Sequence, residues 1–530
     1  MQTPIRVRLG LCAAQAPARE IALALATAIA LAGCGGGNSS TSTPNSSSAP
    51  GALVQNPPLR IASLTATDFN AQLGSTASGQ QLLAVTGAPT CGVDFHYIEY
   101  TTTGGAGEST TATGALMVPT GSAAPCTGAR PMLLYAHGTS TSRAYNIADI
   151  TNTQNTEGAL IAAMYAAQGY IVVAPNYAGY DASPLPYHPY LNAKQQSGEM
   201  INALDAARQA LGHIPAAATI DSGKLFITGY SQGGHVAMAT HRAMQAAGRT
   251  VTASAPMSGP YALAALGDAV FYGDVNLGST VFTPLLTTSY QKAYGNIYAA
   301  TTDVYETTYA SGIESLLPST TPIATLFATN KLPQTALFNS TPPAAAFASI
   351  TPPTTPAAEA ALFALGFGTN NLVTNNYRLA YLADAQANPD GAVPTVTSGA
   401  PATSPGNALR QAFKANDLRG WTPTAPVLLC GGNADPTVFY AVNTGIMQQL
   451  WSALPAGLAT TLDVDSAVSG ATDPFAAAKL GFAQAKSATA QAAVAAGATD
   501  GGASAVVQAY HGTLVPPFCN AAARGFFSQF

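Results

Sequence analysis

The segment Gly229-Tyr230-Ser231-Gln232-Gly233 constrains this chain more than any other five residues. It ends KLFITGY (224–230), an apolar run of strand length, and opens GGHVAMATHRAMQAA (233–247), whose apolar residues recur at helical spacing. A strand that gives way to a helix so abruptly needs a backbone free of Cβ clashes. A glycine stands two residues before the serine and another two after it. Such a turn pushes the serine hydroxyl out above the sheet edge, which makes Ser231 a candidate nucleophile. In a chain with 50 glycines a bare G-x-S-x-G also arises as an ordinary turn, so the flanking pattern and the groups able to activate the serine decide its meaning.

Upstream, CGVDFHYIEYTTTGGAGESTTATGALMVPTG (91–121) alternates and is rich in Thr, Tyr and Val, as antiparallel strands are. The pattern then changes to strand PMLLYAH (131–137), helix EGALIAAMYAAQG (157–169), strand YIVVAPN (170–176), helix SGEMINALDAARQAL (197–211) and the strand that ends at the serine. TVTASAP (250–256) and APVLLCGG (425–432) continue in the same style. Apolar strands alternating with helices predict a mostly parallel central sheet flanked by helices. With the turn at Ser231 this is the α/β-hydrolase arrangement. Residues 260–420 break the alternation, being rich in Ala, Thr, Pro and Tyr. Ser231 and Asp435 are 204 residues apart, where two strand–helix steps need about sixty. The surplus predicts a large, mainly helical cap insertion, and apolar fragments such as IESLL and NYRLAYLADA argue for a packed one.

A serine hydroxyl is a weak nucleophile at neutral pH unless a histidine takes its proton and an acid orients that histidine. In this fold the chain order is Ser, then Asp or Glu, then His. Of seven histidines only His511 lies beyond the strand that follows the serine's helix, in AYHGTLVPPFCNAAARGFF. Asp435 follows APVLLCGGNA directly, so its carboxylate stands at the carboxyl edge of the sheet; as the residue opening DPTVFYAVNTGIMQQLW it is also placed to cap a helix. Asp417 and Asp473 are the alternatives, while Asp463 and Asp465 read as polar faces of TTLDVDSAV. The oxyanion donors are expected from the backbone of Gln232 and of the loop after an early strand, at Gly138 and Thr139. His137, His235 and His241 read as structural.

The N-terminus points to export. Arg6, Arg8 and Arg19 precede the apolar run IALALATAIALAG, too short for a membrane span and suited to a signal peptide (1–33). Leu31-Ala32-Gly33-Cys34 looks like a bacterial lipobox, with Cys34 the lipidated N-terminus and residues 34–52 a flexible polar linker. An ordinary secretory leader is the alternative. The expected location is the bacterial cell envelope, lipid-anchored at the outer membrane, or outside the cell. Cys91, Cys126, Cys430 and Cys519 then sit in an oxidising compartment, and the expected disulfides are Cys91–Cys126 and Cys430–Cys519. No C-x-x-C or H-x-x-x-H spacing suggests a metal site among them. Charged residues make up only 8% of the chain; Arg6, Arg8 and Arg19 against Glu20 put +2 on the leader, so a net −5 becomes about −7 without it. That diffuse negative charge excludes nucleic acid as a partner.

AHGT, VVAPNYAGY with HPYL close behind, GYSQGG, PVLLCGGNAD and a late histidine, in that order, resemble the secretory lipase family of α/β-hydrolases. The resemblance spans about residues 90–260 and 420–520. It implies a serine esterase or lipase needing no cofactor, with a mobile cap and with Ser231, Asp435 and His511 at the matching positions. His188 of HPYL reads as loop architecture. Two departures stand out: about forty Ala-rich residues separate TTLDVDSAV from His511, and the cap text matches no chain specificity. The predicted division is 53–259 and 421–530 for the hydrolase core and 260–420 for the cap. The predicted substrate is a small-molecule or lipid ester, with a serine peptidase and a non-catalytic envelope binding protein as the alternatives.

Overall fold

Apolar strands recur along the chain, and each lies beside another of its kind. The computed structural model describes residues 49–152, 156–214 and 218–530. The predicted signal peptide, Cys34 and most of the linker lie outside the described residues. The nine strands are β1 (Leu59–Leu64), β2 (Gly92–Thr103), β3 (Ser109–Thr120), β4 (Gly128–Ala136), β5 (Ile171–Pro175), β6 (Thr219–Tyr230), β7 (Ala253–Met257), β8 (Val427–Gly431) and β9 (Ala459–Asp463). They form one sheet in the order β1-β2-β3-β5-β4-β6-β7-β8-β9. Pairings from β1 to β5 are antiparallel, and from β5 to β9 all are parallel. Parallel strands need crossovers that lay helices over both faces, and β5, β7 and β8 are accordingly buried at every residue.

Helices α1 (Ala66–Gly74) and α2 (Ala77–Thr86) follow β1, while α3 (Glu157–Met164), α4 (Ala193–Leu211) and α5 (Gln232–Ala246) connect the central strands. Between β7 and β8 come α6 (Leu263–Phe271), α7 (Ser279–Tyr294), α8 (Thr307–Ala310), α9 (Ile323–Ala328), α10 (Ala360–Ala364), α11 (Asn375–Ala387) and α12 (Ala408–Asn416). The C-terminal part holds α13 (Ile446–Leu450), α14 (Ala476–Ala495), α15 (Ala503–Ala509) and α16 (Val515–Phe527). One helical group, α4 with α5, packs on the central strands; α16 packs on α3 and against β6, β7 and β8. This is the α/β-hydrolase fold with a large, mainly helical insertion.

The insertion has its own apolar core, in which Tyr290, Tyr305, Phe338, Leu372 and Tyr381 are fully buried. Buried charges stitch it together: Arg410 pairs with Asp268 and Asp384, and Arg419 with Asp390 and Asp417. Breaking one partner of such a pair strands the other charge without water, so these contacts hold the insertion's helices in register. Asp417, an alternative acid in the sequence, is committed to Arg419.

Cys91–Cys126 staples the start of β2 to the segment before β4, and Cys430–Cys519 joins β8 to α16. Two local expectations are corrected. The stretch after Asp435 does not open a helix at once, because the Asp435 carboxylate takes the N–H groups of Thr437 and Val438 in a tight turn; a widened turn (Ala441–Gly445) precedes α13. The end of the predicted linker is not free either: Gly51 and Ala52 exchange backbone hydrogen bonds with Thr101 on β2. No helix among the described residues is long and apolar enough to cross a membrane.

Candidate active site

Ser231 stands between β6 and α5 with φ 61° and ψ −122°, a conformation that a side-chain-bearing residue adopts only when its surroundings impose it. The glycines explain how. A Cβ on Gly229 would lie 2.4 Å from the Gly233 carbonyl oxygen, and one on Gly233 only 1.9 Å from that of Ala136. The turn therefore packs backbone against backbone, and α5 starts directly under β4.

His511 Nε2 lies 2.8 Å from Ser231 Oγ, and His511 Nδ1 lies 2.6 Å from Asp435 Oδ2. A carboxylate only accepts, so the ring carries its proton on Nδ1 and presents a lone pair at Nε2 to the serine hydroxyl. An imidazole so held can take the proton of Ser231 and keep the resulting charge beside a carboxylate. Asp435 is buried, and its other oxygen accepts from the N–H groups of Thr437 and Val438, at 2.9 and 3.0 Å. The helix-capping role expected for it thus takes the form of a turn, and coexists with the contact to His511. The remaining carboxylates are occupied elsewhere: Asp473 with Lys479, Asp463 with Asn433, and Asp465 with Tyr510.

Supports converge on the histidine. Tyr230 donates its hydroxyl to the His511 carbonyl at 2.7 Å, and burial near Asp435 holds that phenol well above its usual pKa, so it remains a donor. His511 lies in a widened turn (Tyr510–Leu514) that leads into α16, which the Cys430–Cys519 bridge ties to the strand preceding Asp435. The Ala-rich residues between β9 and His511 fold as α14 and α15, which pack on each other; the chain leaves the sheet edge and returns in time to deliver His511.

Backbone donors surround the serine unequally. The N–H groups of Thr139 and Gln232 have no acceptor among the described residues, whereas that of Gly138 is donated to Glu157 Oε1 at 3.1 Å. Gly138 is therefore corrected: its N–H anchors the loop and is not free for an oxyanion. Glu157 also accepts from the hydroxyls of Tyr135 at 2.8 Å and Tyr145 at 3.2 Å. The sequence reading missed it, because a glutamate opening a helix is ordinary.

His188 was read as loop architecture and does more than that. Its Nδ1 lies 3.0 Å from the Ala178 carbonyl and its Nε2 2.6 Å from Gln232 Nε2, so Nδ1 is the donor and Nε2 accepts from the amide. Burial pushes its pKa down to about 3, which keeps Nε2 an acceptor. The pairing of HPYL with GYSQGG was the only sequence signal for this contact. His137 is fully buried between the rings of Tyr145 and Tyr177, His235 reaches the Asn416 carbonyl, and His241 reaches Ser254 Oγ; burial lowers all three pKa values.

Two cavities meet at Ser231, one of about 690 Å³ and one of about 80 Å³. The larger has Thr139, Glu157, His511 and residues 275–282 of the insertion on its walls.

A strained serine directly after β6, in the middle of the parallel run of the sheet, met by an acid and a histidine from the chain's last hundred residues, is the arrangement of the α/β-hydrolase class. No protein-family profile matches the chain, and no curated protein matches it in sequence. Solved structures do. A rice cell wall degrading esterase, LipA from Xanthomonas oryzae, superposes with a TM-score of 0.60 at 26% identity, over 82% of this chain and 95% of its own. Its ligand-bound form gives 0.59 and 27% over the same shares. A hydrolase candidate from Legionella pneumophila gives 0.55 at 19% identity, over 77% of this chain and 91% of its own, and speaks to the fold alone. The structural neighbours of this chain are thus esterases and hydrolases.

Proposed function

We propose that this chain is a serine hydrolase that cleaves carboxylic esters, of the secretory-lipase kind, with Ser231 as nucleophile, His511 as base and acid, and Asp435 as the group that orients His511. His511 Nε2 takes the Ser231 proton as Oγ attacks the ester carbonyl. The negative charge on the carbonyl oxygen is met by the N–H groups of Thr139 and Gln232. The C–O bond to the alcohol breaks as that oxygen receives the proton from Nε2, leaving an acyl group on Ser231. Water, deprotonated by His511, attacks the acyl carbon, and Ser231 recovers its proton as the acid leaves. No step calls on a cofactor.

The observation that carries this reading is the continuous relay of Ser231, His511 and Asp435 at 2.8 and 2.6 Å on the wall of an open cavity. A binding protein has no use for it. Esters are favoured over peptides because the neighbour at 26% identity is an esterase. We extend the proposal to compartment: the two buried disulfides favour an oxidising one, consistent with export and with a lipid anchor at Cys34. Incorporation of labelled palmitate, lost in Cys34→Ser, tests the anchor.

The test of the activity is Ser231→Ala with p-nitrophenyl esters, together with peptide mapping of a fluorophosphonate adduct on the wild type. Turnover is expected to vanish in a folded variant, and the adduct to sit on Ser231. Near wild-type turnover in Ser231→Ala would refute the assignment.

A further inference from the structure

A carbonyl oxygen that turns negative needs its N–H donors in place before it arrives, because donors that must first move give back in reorganisation what they supply in attraction. The two donors assigned above belong to separate segments, Thr139 to the loop after β4 and Gln232 to the first turn of α5. One short turn between β5 and α4, Tyr187-His188-Pro189-Tyr190-Leu191, touches both. His188 Nε2 accepts from Gln232 Nε2 at 2.6 Å, and two residues further on the Tyr190 hydroxyl shares a hydrogen bond of 2.8 Å with Thr139 Oγ1. Both side chains of the turn are buried.

The turn is itself held at several points. Gly179 sits at φ +93°, where a Cβ would lie 2.2 Å from the Tyr187 carbonyl oxygen, so residues 187–188 lie directly against the Gly179 backbone. His188 Nδ1 donates to the Ala178 carbonyl at 3.0 Å, and the Ala178 N–H donates to Glu199 Oε1 at 2.6 Å. Glu199, buried on α4, also accepts from the Tyr100 hydroxyl at 3.2 Å and the Gln195 amide at 2.8 Å. At the other end Leu191 adopts φ 50°, and its carbonyl accepts from the Tyr290 hydroxyl of α7 at 3.2 Å. The turn is thereby fixed both to the core and to the insertion.

The loop after β4 is anchored on either side of Thr139. Gly138 gives its N–H to Glu157, the Ser140 carbonyl accepts from the Tyr180 hydroxyl at 2.6 Å, and the Thr141 carbonyl accepts from the Ser319 N–H of the insertion at 2.8 Å. Thr139 itself is held through its side chain, by Tyr190. The contacts of the turn therefore fall on the two residues whose N–H groups have no acceptor among the described residues.

We propose that His188 and Tyr190 are positioning residues of the oxyanion hole, tying the β4 loop to the start of α5 at one spacing before substrate binds. The proposal rests on the ester-hydrolase reading above. Each residue acts through the one it holds. Loss of an oxyanion donor outright lowers kcat by about a hundredfold to a thousandfold, and a donor left present but unfixed forfeits part of that.

The experiment compares wild type with Tyr190→Phe, His188→Asn and His188→Gln on the full chain. Phenylalanine keeps the ring and removes one hydroxyl. Asparagine places its amide where Nδ1 stood and keeps the bond to Ala178, with no acceptor for Gln232; glutamine places its oxygen where Nε2 stood and keeps that acceptor. The readouts are kcat and KM on p-nitrophenyl butyrate, Ki for an alkyl trifluoromethyl ketone, and the thermal midpoint. Ser231 Oγ adds to the carbonyl carbon of that ketone, its proton passes to His511 Nε2, and the carbonyl oxygen takes the electron pair of the broken π bond as the anion the hole receives. Tyr190→Phe and His188→Asn are expected to lower kcat by about tenfold or more at a KM within about twofold of wild type, and to raise Ki by a like factor. His188→Gln is expected to recover kcat to within about threefold of wild type. A role confined to folding would lower the thermal midpoint without this matched change in kcat and Ki. Unchanged kcat in Tyr190→Phe or in His188→Asn, a fall in kcat at unchanged Ki, or a His188→Gln as impaired as His188→Asn would each overturn the proposal, while wild-type turnover leaves the ester hydrolase intact. A wild type with neither turnover nor fluorophosphonate label on Ser231 would remove both readings. Should His188→Asn not fold, Tyr190→Phe, which removes a single oxygen atom, decides alone.

Discussion

Asp435→Asn is the most informative substitution in this molecule, because the carboxylate does two jobs with two oxygens. Oδ1 accepts from the N–H groups of Thr437 and Val438, and Oδ2 from His511 Nδ1. Asparagine has one oxygen and one amide. Two backbone donors outweigh one ring donor, so the amide oxygen stays on Thr437 and Val438 and the NH₂ turns toward His511. Nδ1 must then accept, and the ring proton moves to Nε2, facing Ser231 Oγ. A protonated Nε2 cannot take the serine proton. Loss of a correctly oriented base of this kind lowers kcat by about ten-thousandfold, ~5 kcal/mol of transition-state stabilisation. The fold should survive, since every donor around residue 435 retains an acceptor or becomes one; Asp435→Ala, by contrast, leaves two buried N–H groups unpaired at about 1–3 kcal/mol each. The assay is kcat on p-nitrophenyl butyrate, with the thermal midpoint measured on the same preparation. An Asn variant within about tenfold of wild-type kcat would show that His511 does not depend on Asp435 for its tautomer, and the role assigned here would fall.

Gly233→Ala should yield no soluble folded enzyme, since its Cβ would sit 1.9 Å from a backbone oxygen, while Gly420→Ala, with nothing within 4 Å, should express and melt like wild type; equal melting of the two would refute the packing argument. Glu157→Ala leaves the donors of Gly138, Tyr135 and Tyr145 without their acceptor, so kcat should fall by about tenfold or more as the Thr139 loop loosens, with Glu157→Gln restoring most of it. Equal kcat in the Ala and Gln variants would contradict that. His188 gives a pH signature. Its pKa is about 3 in the fold against 6.5 when free, so the unfolded chain binds a proton over that window and the folded one does not. Its contribution to stability is full above pH 6.5 and is lost as the pH falls toward 3, by up to about 1.4 kcal/mol per pH unit. Urea unfolding of His188→Asn between pH 6.5 and 4 should show a shallower acid slope than wild type by that amount, and identical slopes would place the histidine in contact with solvent.

The local parts of this fold were legible in the residues. Strand and helix periodicity, the glycines around Ser231 and the change of texture after residue 260 are properties of neighbouring positions, and the structure places β6, α5 and the insertion where those patterns predicted. Four cysteines allow three pairings, and the one formed was singled out by the segments they lie in, a hairpin region for Cys91–Cys126 and the acid strand and histidine segment for Cys430–Cys519. Asp435 and His511 could be singled out only because chain order in this fold leaves few candidates, since nothing in their own surroundings separates them from other aspartates and histidines. Their distances from each other and from Ser231 belong to the tertiary structure.

What the sequence by itself determined is therefore the turn and the sheet, because steric demands on a backbone and the period of apolar residues act within a few positions, while chain order narrowed the candidate reactive side chains to a few. Only the tertiary structure decided that Gly138 gives its N–H to Glu157, that His188 holds Gln232 from 44 residues away, and that Phe282 of the insertion lines both cavities at Ser231. Each of these joins residues far apart in the chain, where many glutamates, histidines and phenylalanines are equivalent until packing selects one. A hydrogen-bond partner or a cavity wall is a relation between distant segments, and it comes into being only when their shared burial excludes water.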